Sequence, residues 1–326
     1  GIASFDKETG YLIEKKTSKT YTDIFKHKLV ELGDKHEDVV AITAAMSIGT
    51  GVFKFAEKYP KRCFDVGIAE QHAVTFAAGM AKAGLVPVVA VYSSFLQRAY
   101  DQILHDVCMQ KLHVIFAVDR SGLVGQDGET HQGIYDISYL SHMPNMLVMA
   151  PKNRYELEAM LDFAYDYDGP VAIKYARGTA YKGLEEFNAP IVVGKSEVIY
   201  EGRGIAIFSC GNMMEEAVRL YDKLKSSGKN PTLINVRFVS SVDYALLDGI
   251  CSSHDVIVTM EENISKGGYG ELLSSALLDK GYDKEGNIVH IDASIKQEIV
   301  PHGKISELRD MLGISADKIY EVINNL

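Results

Sequence analysis

The chain of 326 residues has only four cysteines, Cys63, Cys108, Cys210 and Cys251. They are far apart and none has metal-ligand spacing, which excludes a disulfide framework and a zinc-finger type of site. Reduced, mostly packed thiols are expected, as in a cytoplasmic protein. No apolar stretch reaches the ~18–20 residues that a membrane-spanning helix needs, and no signal-peptide pattern precedes the first expected helix. Basic character is also scarce. Lys and Arg number 34 against 44 Asp and Glu, a formal net charge of -10. With no long Lys/Arg run, the chain does not read as a binder of nucleic acid or of a membrane surface. A small anionic substrate would need local arginines instead. Internal repeats and low-complexity segments are absent too. The chain opens on Gly1 rather than methionine, and on that ground a trimmed form or a fragment of a longer polypeptide is expected.

What is present is a globular composition, 47% hydrophobic and 24% charged, with mass enough for two cores. Tyr21, Ile24, Phe25, Leu29 and Leu32 stand at helical spacing behind a Thr20/Asp23 start signal, predicting a helix over 20–32. A strand follows at 39–43. Residues 67–83 carry an apolar stripe through Ala69, Ala73, Phe76, Ala77 and Met80 that stops at Gly84, a helix with its usual terminator. Alternation then continues with a strand at 85–91, one helix over 94–110, strands at 113–118 and 145–150 around a helix at 134–142, a helix at 154–165 and a strand at 171–176. A looser stretch through Gly178, Gly183 and Pro190 marks a domain boundary. Beyond it, strands are expected at 205–210, 232–238, 256–260 and 288–291, with a helix carrying Met214, Ala217, Val218, Tyr221 and Leu224 and two closing helices at 305–312 and 316–323. The expected fold class is α/β: two doubly wound three-layer domains, over 1–180 and 190–326, the first on a mostly parallel sheet and the second smaller.

One loop stands out. Residues 120–133, R-S-G-L-V-G-Q-D-G-E-T-H-Q-G, crowd Arg120, Asp127, Glu129 and His131 among four glycines directly after the apolar run 113–118. Loops of such length in a compact domain are usually functional, and a strand buried on both faces delivers this one to the carboxyl edge of a parallel sheet. Other reactive residues also follow strands: Glu70 and His72 after 64–66, Tyr92, Phe95 and Arg98 after Val91, and Arg177 after Ala176. Carboxyl ends of parallel strands share one edge, so these residues can surround a single ligand.

Three segments carry a family resemblance: F-D-V-G-I-A-E-Q-H-A-V-T-F-A-A-G at 64–79, Y-S-S-F-L-Q-R-A-Y-D-Q at 92–102 and D-G-E-T-H-Q-G at 127–133. Together with Ser138-Tyr139-Leu140, Met260-Glu261-Glu262-Asn263 and Pro301-His302-Gly303, they resemble the 1-deoxy-D-xylulose-5-phosphate synthases, thiamine-diphosphate enzymes of the transketolase superfamily. The resemblance covers nearly the whole chain. It implies that 1–180 is a transketolase-like pyrimidine-binding domain and 190–326 a transketolase C-terminal-like domain. It also implies a missing first domain, which would grip the cofactor's diphosphate through Mg²⁺ with a Gly-Asp-Gly and a later Asn that this sequence does not contain. The chain would then hold half an active site and be inactive alone. Ala45-Met46-Ser47-Ile48-Gly49 departs from the family's commoner residues around that methionine.

The implied activity is condensation of pyruvate with D-glyceraldehyde 3-phosphate to 1-deoxy-D-xylulose 5-phosphate with loss of CO₂, a step toward isoprenoid, thiamine and pyridoxal synthesis, in a homodimer. By resemblance, Glu70 serves the aminopyrimidine nitrogen, Phe95 is a platform for that ring, and Ile68 adjoins the cofactor. Burial among Ala69, Ala73 and Phe95 favours the donating, protonated form of Glu70, against the macrodipole of the helix amino terminus. Arg98 is placed near the substrate, Arg120 and Arg177 at its phosphate, and Tyr92, Asp127 and His131 at the intermediates and proton transfers. From spacing alone, Phe95 is equally a core residue, His72 a packed helical histidine, and Arg120 or Arg177 a structural ion-pair partner. No residue here is expected to bind metal. Two alternatives stay open: a transketolase or 2-oxoacid dehydrogenase β-type subunit, and a catalytically silent dimerisation module.

Overall fold

The structure, a computed structural model, describes residue 9 and residues 18–282, 288–296 and 299–326. Positions 1–8 and 10–17 of the expected first domain lie outside the described residues. The first helix, α1 (Tyr21–Lys35), starts on a capping box in which Asp23 N donates to Thr20 Oγ1 and Thr20 N donates to Asp23 Oδ2, each at 3.0 Å. Two otherwise orphaned amides are thereby satisfied. β1 (Val39–Thr43), α2 (Phe53–Lys58), β2 (Cys63–Asp65) and α3 (Glu70–Lys82) follow. α3 begins three residues later than expected, because Gly67 takes φ +71 and Ala69 is not yet helical.

β3 (Val86–Tyr92) is buried along its whole length. The single helix expected over 94–110 is instead a broken helical path: α4 (Ser93–Leu96), a 3₁₀ turn at Gln97–Ala99, α5 (Tyr100–Gln102) and a π-helical turn at Ile103–Cys108. β4 (Ile115–Asp119), α6 (Asp136–Leu140), β5 (Leu147–Met149), α7 (Arg154–Asp166) and β6 (Val171–Lys174) complete the first unit. Its six strands pair in the order β2-β1-β3-β4-β6-β5, all parallel. The chain crosses from β2 over β1 to β3, so the order reverses between β1 and β3, where open α/β sheets hold ligands.

After an irregular stretch come β7 (Glu197–Tyr200), β8 (Gly204–Cys210), α8 (Met214–Ser226), β9 (Thr232–Val236), α9 (Tyr244–Cys251), β10 (His254–Ile264), α10 (Tyr269–Lys280), β11 (Val289–Ile295), α11 (Ile305–Met311) and α12 (Ala316–Asn324). The five-stranded sheet runs β11-β10-β8-β9-β7, parallel except for β7 at its edge. This is the expected two-unit α/β architecture with helices on both sheet faces.

The two units share one core. Val148, Ala150, Ile137 and Leu140 of the first join Ala206, Phe208, Ile234 and Tyr269 of the second in a continuous buried cluster, where each large apolar side chain contributes about 1.5–3 kcal/mol. Segment 237–239 lies against β5 like an added strand: Ala150 N donates to Arg237 O at 3.0 Å and Val239 N to Val148 O at 2.9 Å. Beside it, Lys152, Glu156, Glu197, Asn235 and Arg237 form a buried polar cluster across the units, with ion pairs from 2.7 to 3.1 Å. Among the described residues, no helix is long and apolar enough to cross a membrane, and no group of three or more His, Cys, Asp or Glu could hold a metal ion.

Candidate active site

The 120–133 loop leaves the carboxyl end of β4 and is closed at its base by Gly122 and Gly133, whose amides donate to one another's carbonyls at 2.6 and 2.8 Å. Two 3₁₀ turns, Gly125–Asp127 and Glu129–His131, fill it. Gly133 has no room for a side chain: a Cβ there would lie 2.3 Å from Arg120 O and 2.8 Å from Ser93 Oγ. Beneath the base, Asp136 is fully buried. One of its oxygens accepts from Ser93 Oγ at 2.7 Å and from Ser121 Oγ, while the other lies 3.1 Å from Lys174 Nζ.

Asp127 gathers two arginines from different strand ends. Arg120 Nη1 donates to Asp127 Oδ2, and Arg177 Nε lies 3.0 Å from the same oxygen. The Arg120 guanidinium also stacks 3.9 Å from the centre of the Tyr92 ring, a cation–π contact. Its backbone is left-handed, φ +59, and is held there by Asp119, whose Oδ1 accepts from Arg120 N at 2.7 Å. Thr22 Oγ1 donates to the other Asp119 oxygen at 2.8 Å. Complete burial pushes the Asp119 carboxyl up to about 7, despite those hydrogen bonds. Burial also raises the Tyr92 phenol, opposed by the positive charge of Arg120.

The aromatic wall follows β3. Phe95 lies 5.8 Å from Tyr92 and 5.2 Å, edge to face, from His131, whose Nδ1 is 2.9 Å from Thr130 Oγ1. Glu70, the first residue of α3, is 2% exposed. Its Oε2 is 3.0 Å from Arg98 Nη1, an ion pair without hydrogen-bond geometry, so that buried oxygen has no hydrogen-bond partner. In water such a group would be solvated; buried with an ion pair and no hydrogen bond, it costs stability until something donates to or accepts from it.

The structure therefore brings Tyr92, Phe95, His131, Arg120, Asp127 and Arg177 into one connected set, and pairs Glu70 with Arg98. Ile68, three-quarters exposed, stands on the turn before α3. His72 is exposed on α3 and stacks on Phe76 at 5.7 Å, so it is not packed in the core. Several supporting residues were not foreseen. Asp119 could have been suspected as a charge ending an otherwise apolar strand, and Asp136 as an acid three residues beyond the last loop glycine. Gly49 carried no such signal, yet a Cβ there would lie 1.6 Å from the Tyr92 hydroxyl. Also unforeseen is contact from the second unit: Leu123 N donates to Glu262 Oε2 at 2.9 Å, Gln132 Nε2 to Pro301 O at 3.1 Å, and Gly303 N to Gly125 O at 3.3 Å.

A parallel sheet with its reactive residues at one carboxyl edge, joined to a smaller α/β unit, is the arrangement of a transketolase half, and the chain belongs to that family. The transketolase pyrimidine-binding domain matches residues 17–182 and the transketolase C-terminal domain matches residues 194–319. More particularly, the chain is 50% identical over 323 residues to the 1-deoxy-D-xylulose-5-phosphate synthase of Lachnoclostridium phytofermentans, covering 99% of this chain and 51% of that protein. It is 46% identical over 326 residues to that of Clostridium tetani, covering 100% of this chain and 52% of the other. The chain thus spans about half the length of the curated relatives it matches. Among solved structures, a split-gene transketolase described as an inactive β4 tetramer superposes with a TM-score of 0.82 at 25% identity, covering 94% of this chain and 98% of that one. A transketolase from Campylobacter jejuni shares the fold with a TM-score of 0.75 at 17% identity, over 95% of this chain and 47% of the other.

Proposed function

We propose that this chain is the substrate-recognising half of a 1-deoxy-D-xylulose-5-phosphate synthase. It would work with a diphosphate- and Mg²⁺-binding domain to condense pyruvate with D-glyceraldehyde 3-phosphate and release CO₂. The observation that carries the proposal is the buried Glu70 carboxylate, one oxygen without a hydrogen-bond partner, at the start of α3 beyond the carboxyl end of β2 in the same parallel sheet whose β4 and β6 are followed by Arg120 and Arg177. The residues present fit the pyrimidine end of thiamine diphosphate: an orphaned buried carboxylate oxygen suits a ring nitrogen, and Phe95 offers an aromatic surface. Thiamine diphosphate, when bound, supplies the nucleophilic carbon and the electron sink for decarboxylation.

This chain's own residues orient, neutralise and move protons. Glu70 would hold a proton at the pyrimidine nitrogen, with Ile68 bordering the same site. Asp127 fixes the forks of Arg120 and Arg177, Arg177 Nη1 also donates to Val124 O at 3.3 Å, and the N–H donors still open would meet the substrate phosphate. Arg98, paired with Glu70, would stand between the cofactor and substrate sites. His131 and Tyr92, against Phe95, are placed to serve the substrate's carbonyl and hydroxyl oxygens. On this reading the assembled enzyme is a cytoplasmic homodimer.

The test is reconstitution with the amino-terminal domain of a relative, in the presence of thiamine diphosphate and Mg²⁺. Turnover of pyruvate with D-glyceraldehyde 3-phosphate is expected, and Glu70→Ala should lower kcat by about 10²-fold or more. Turnover of sugar-phosphate ketol donors but not of pyruvate would overturn the assignment in favour of a transketolase subunit. Unchanged kcat in Glu70→Ala would remove Glu70 from its role.

A further inference from the structure

The base of the substrate loop is shaped around a carboxylate that belongs to the other unit. Glu262, on β10, is 1% exposed. Its Oε2 accepts from Leu123 N at 2.9 Å and from Asn212 Nδ2, while its Oε1 accepts from Arg309 Nε at 2.6 Å. Arg309, on α11, also reaches Glu216 of α8 at 3.5 Å, and Glu216 Oε2 accepts from Ala316 N at the start of α12 at 3.0 Å. The carboxylate is therefore fixed from behind by three helices of its own unit. On the loop side, Gly122 has φ +82, and a Cβ there would lie 2.3 Å from Glu262 Oε2. Any side chain at this position would drive the loop off the carboxylate.

Little slack separates this contact from the anion site. Gly122 is locked to Gly133 by mutual hydrogen bonds, Ser121 is tied to Asp136, and Arg120 is held in a left-handed conformation by Asp119. A displacement at Leu123 is thus passed to the Arg120 backbone, and from there to the fork that meets Asp127. Stability alone does not require this arrangement, since a buried ion pair is often replaceable by apolar side chains without loss. What apolar side chains cannot do is accept the Leu123 N–H.

We infer that Glu262 is a positioning residue through which the second unit sets the geometry of the Arg120/Arg177 anion site in the first, an inference that rests on the substrate assignment above only for the identity of the anion. Two readouts separate the ideas. In the chain itself, Glu262→Leu, which leaves Leu123 N without its acceptor, is expected to speed hydrogen–deuterium exchange of peptides spanning 120–133 about tenfold while the strands of both sheets stay protected. In the reconstituted enzyme the same variant should raise KM for D-glyceraldehyde 3-phosphate about tenfold, with kcat and KM for pyruvate within about twofold of the parent.

If Glu262→Leu does not fold because Arg309 is left buried without its partner, the double variant Glu262→Leu, Arg309→Leu removes the charge pair together and is read the same way. Unchanged exchange over 120–133 in the folded variant, or a loss confined to kcat, would overturn the inference. Faster exchange in a chain whose parent enzyme turns over no phosphorylated aldehyde would sink the substrate assignment and leave the positioning role standing.

Discussion

Asp119 shows how one side chain behind the reactive surface can set its cost. Its carboxyl, ionised in an unfolded chain above pH ~4, is held up to about 7 in the fold by burial. Between those two values the native state keeps a proton that the unfolded state has released, so stability falls as pH rises through the window and levels off above it. Glu261, buried and also pushed up to about 7, has the same sign. Asp119→Asn keeps an oxygen for Arg120 N and cannot ionise. Chemical denaturation at pH 5 and pH 8 should therefore show a smaller loss of stability in the variant than in the parent, by about 3 kcal/mol. Equal losses would mean that Asp119 is ionised in the fold throughout. Residues such as this are poorly legible in sequence, because Asp119 acts through Thr22 on α1 and Arg120 on its own loop, a set no spacing rule assembles. Asp127 was singled out, but nothing in the chain order said that it would hold arginines 7 and 50 residues away.

At the scale of elements, legibility followed burial. The runs that became β3 and β4 are buried on both faces, and continuous apolar sequence announces that environment directly. α1 was equally plain, its stripe and its capping box both local. The region 94–110 was not. Leu96, Ala99, Ile103 and Val107 are all buried, so a helical period is satisfied, while the π-helical turn that rephases the path leaves no mark in the period. Caps are a middle case. Asn153 opens α7 by accepting from Glu156 N at 2.9 Å, and its amide also donates to Gly183 O at 2.8 Å in the connecting stretch. One side chain thus starts a helix and ties down the link between units. Asn153→Ala should cost about 2 kcal/mol in equilibrium unfolding, and should open the 180–190 stretch to protease before the rest of the chain. Loss of the helix cap without that local opening would show the tether to be idle.

For the molecule as a whole, two sheets should unfold as one unit because both a shared core and a polar cluster cross between them. In that cluster Arg237 Nε meets Glu156 at 2.7 Å and Arg237 Nη2 meets Glu197 at 3.0 Å, with Lys152 bridging the same two acids. Arg237→Met leaves two buried carboxylates facing a single ammonium, and should destabilise the chain by about 3–5 kcal/mol in a single unfolding transition. Two separate transitions in the parent would instead mean that the units unfold independently. A different consequence follows from segment 237–239 lying along β5. An outermost strand ordinarily offers a row of free amides and carbonyls on which a neighbouring molecule can add a strand of its own. Here the chain has laid its own backbone over that border, so on this side the first sheet is sealed against runaway stacking, and contact with other molecules is directed to its side-chain surfaces.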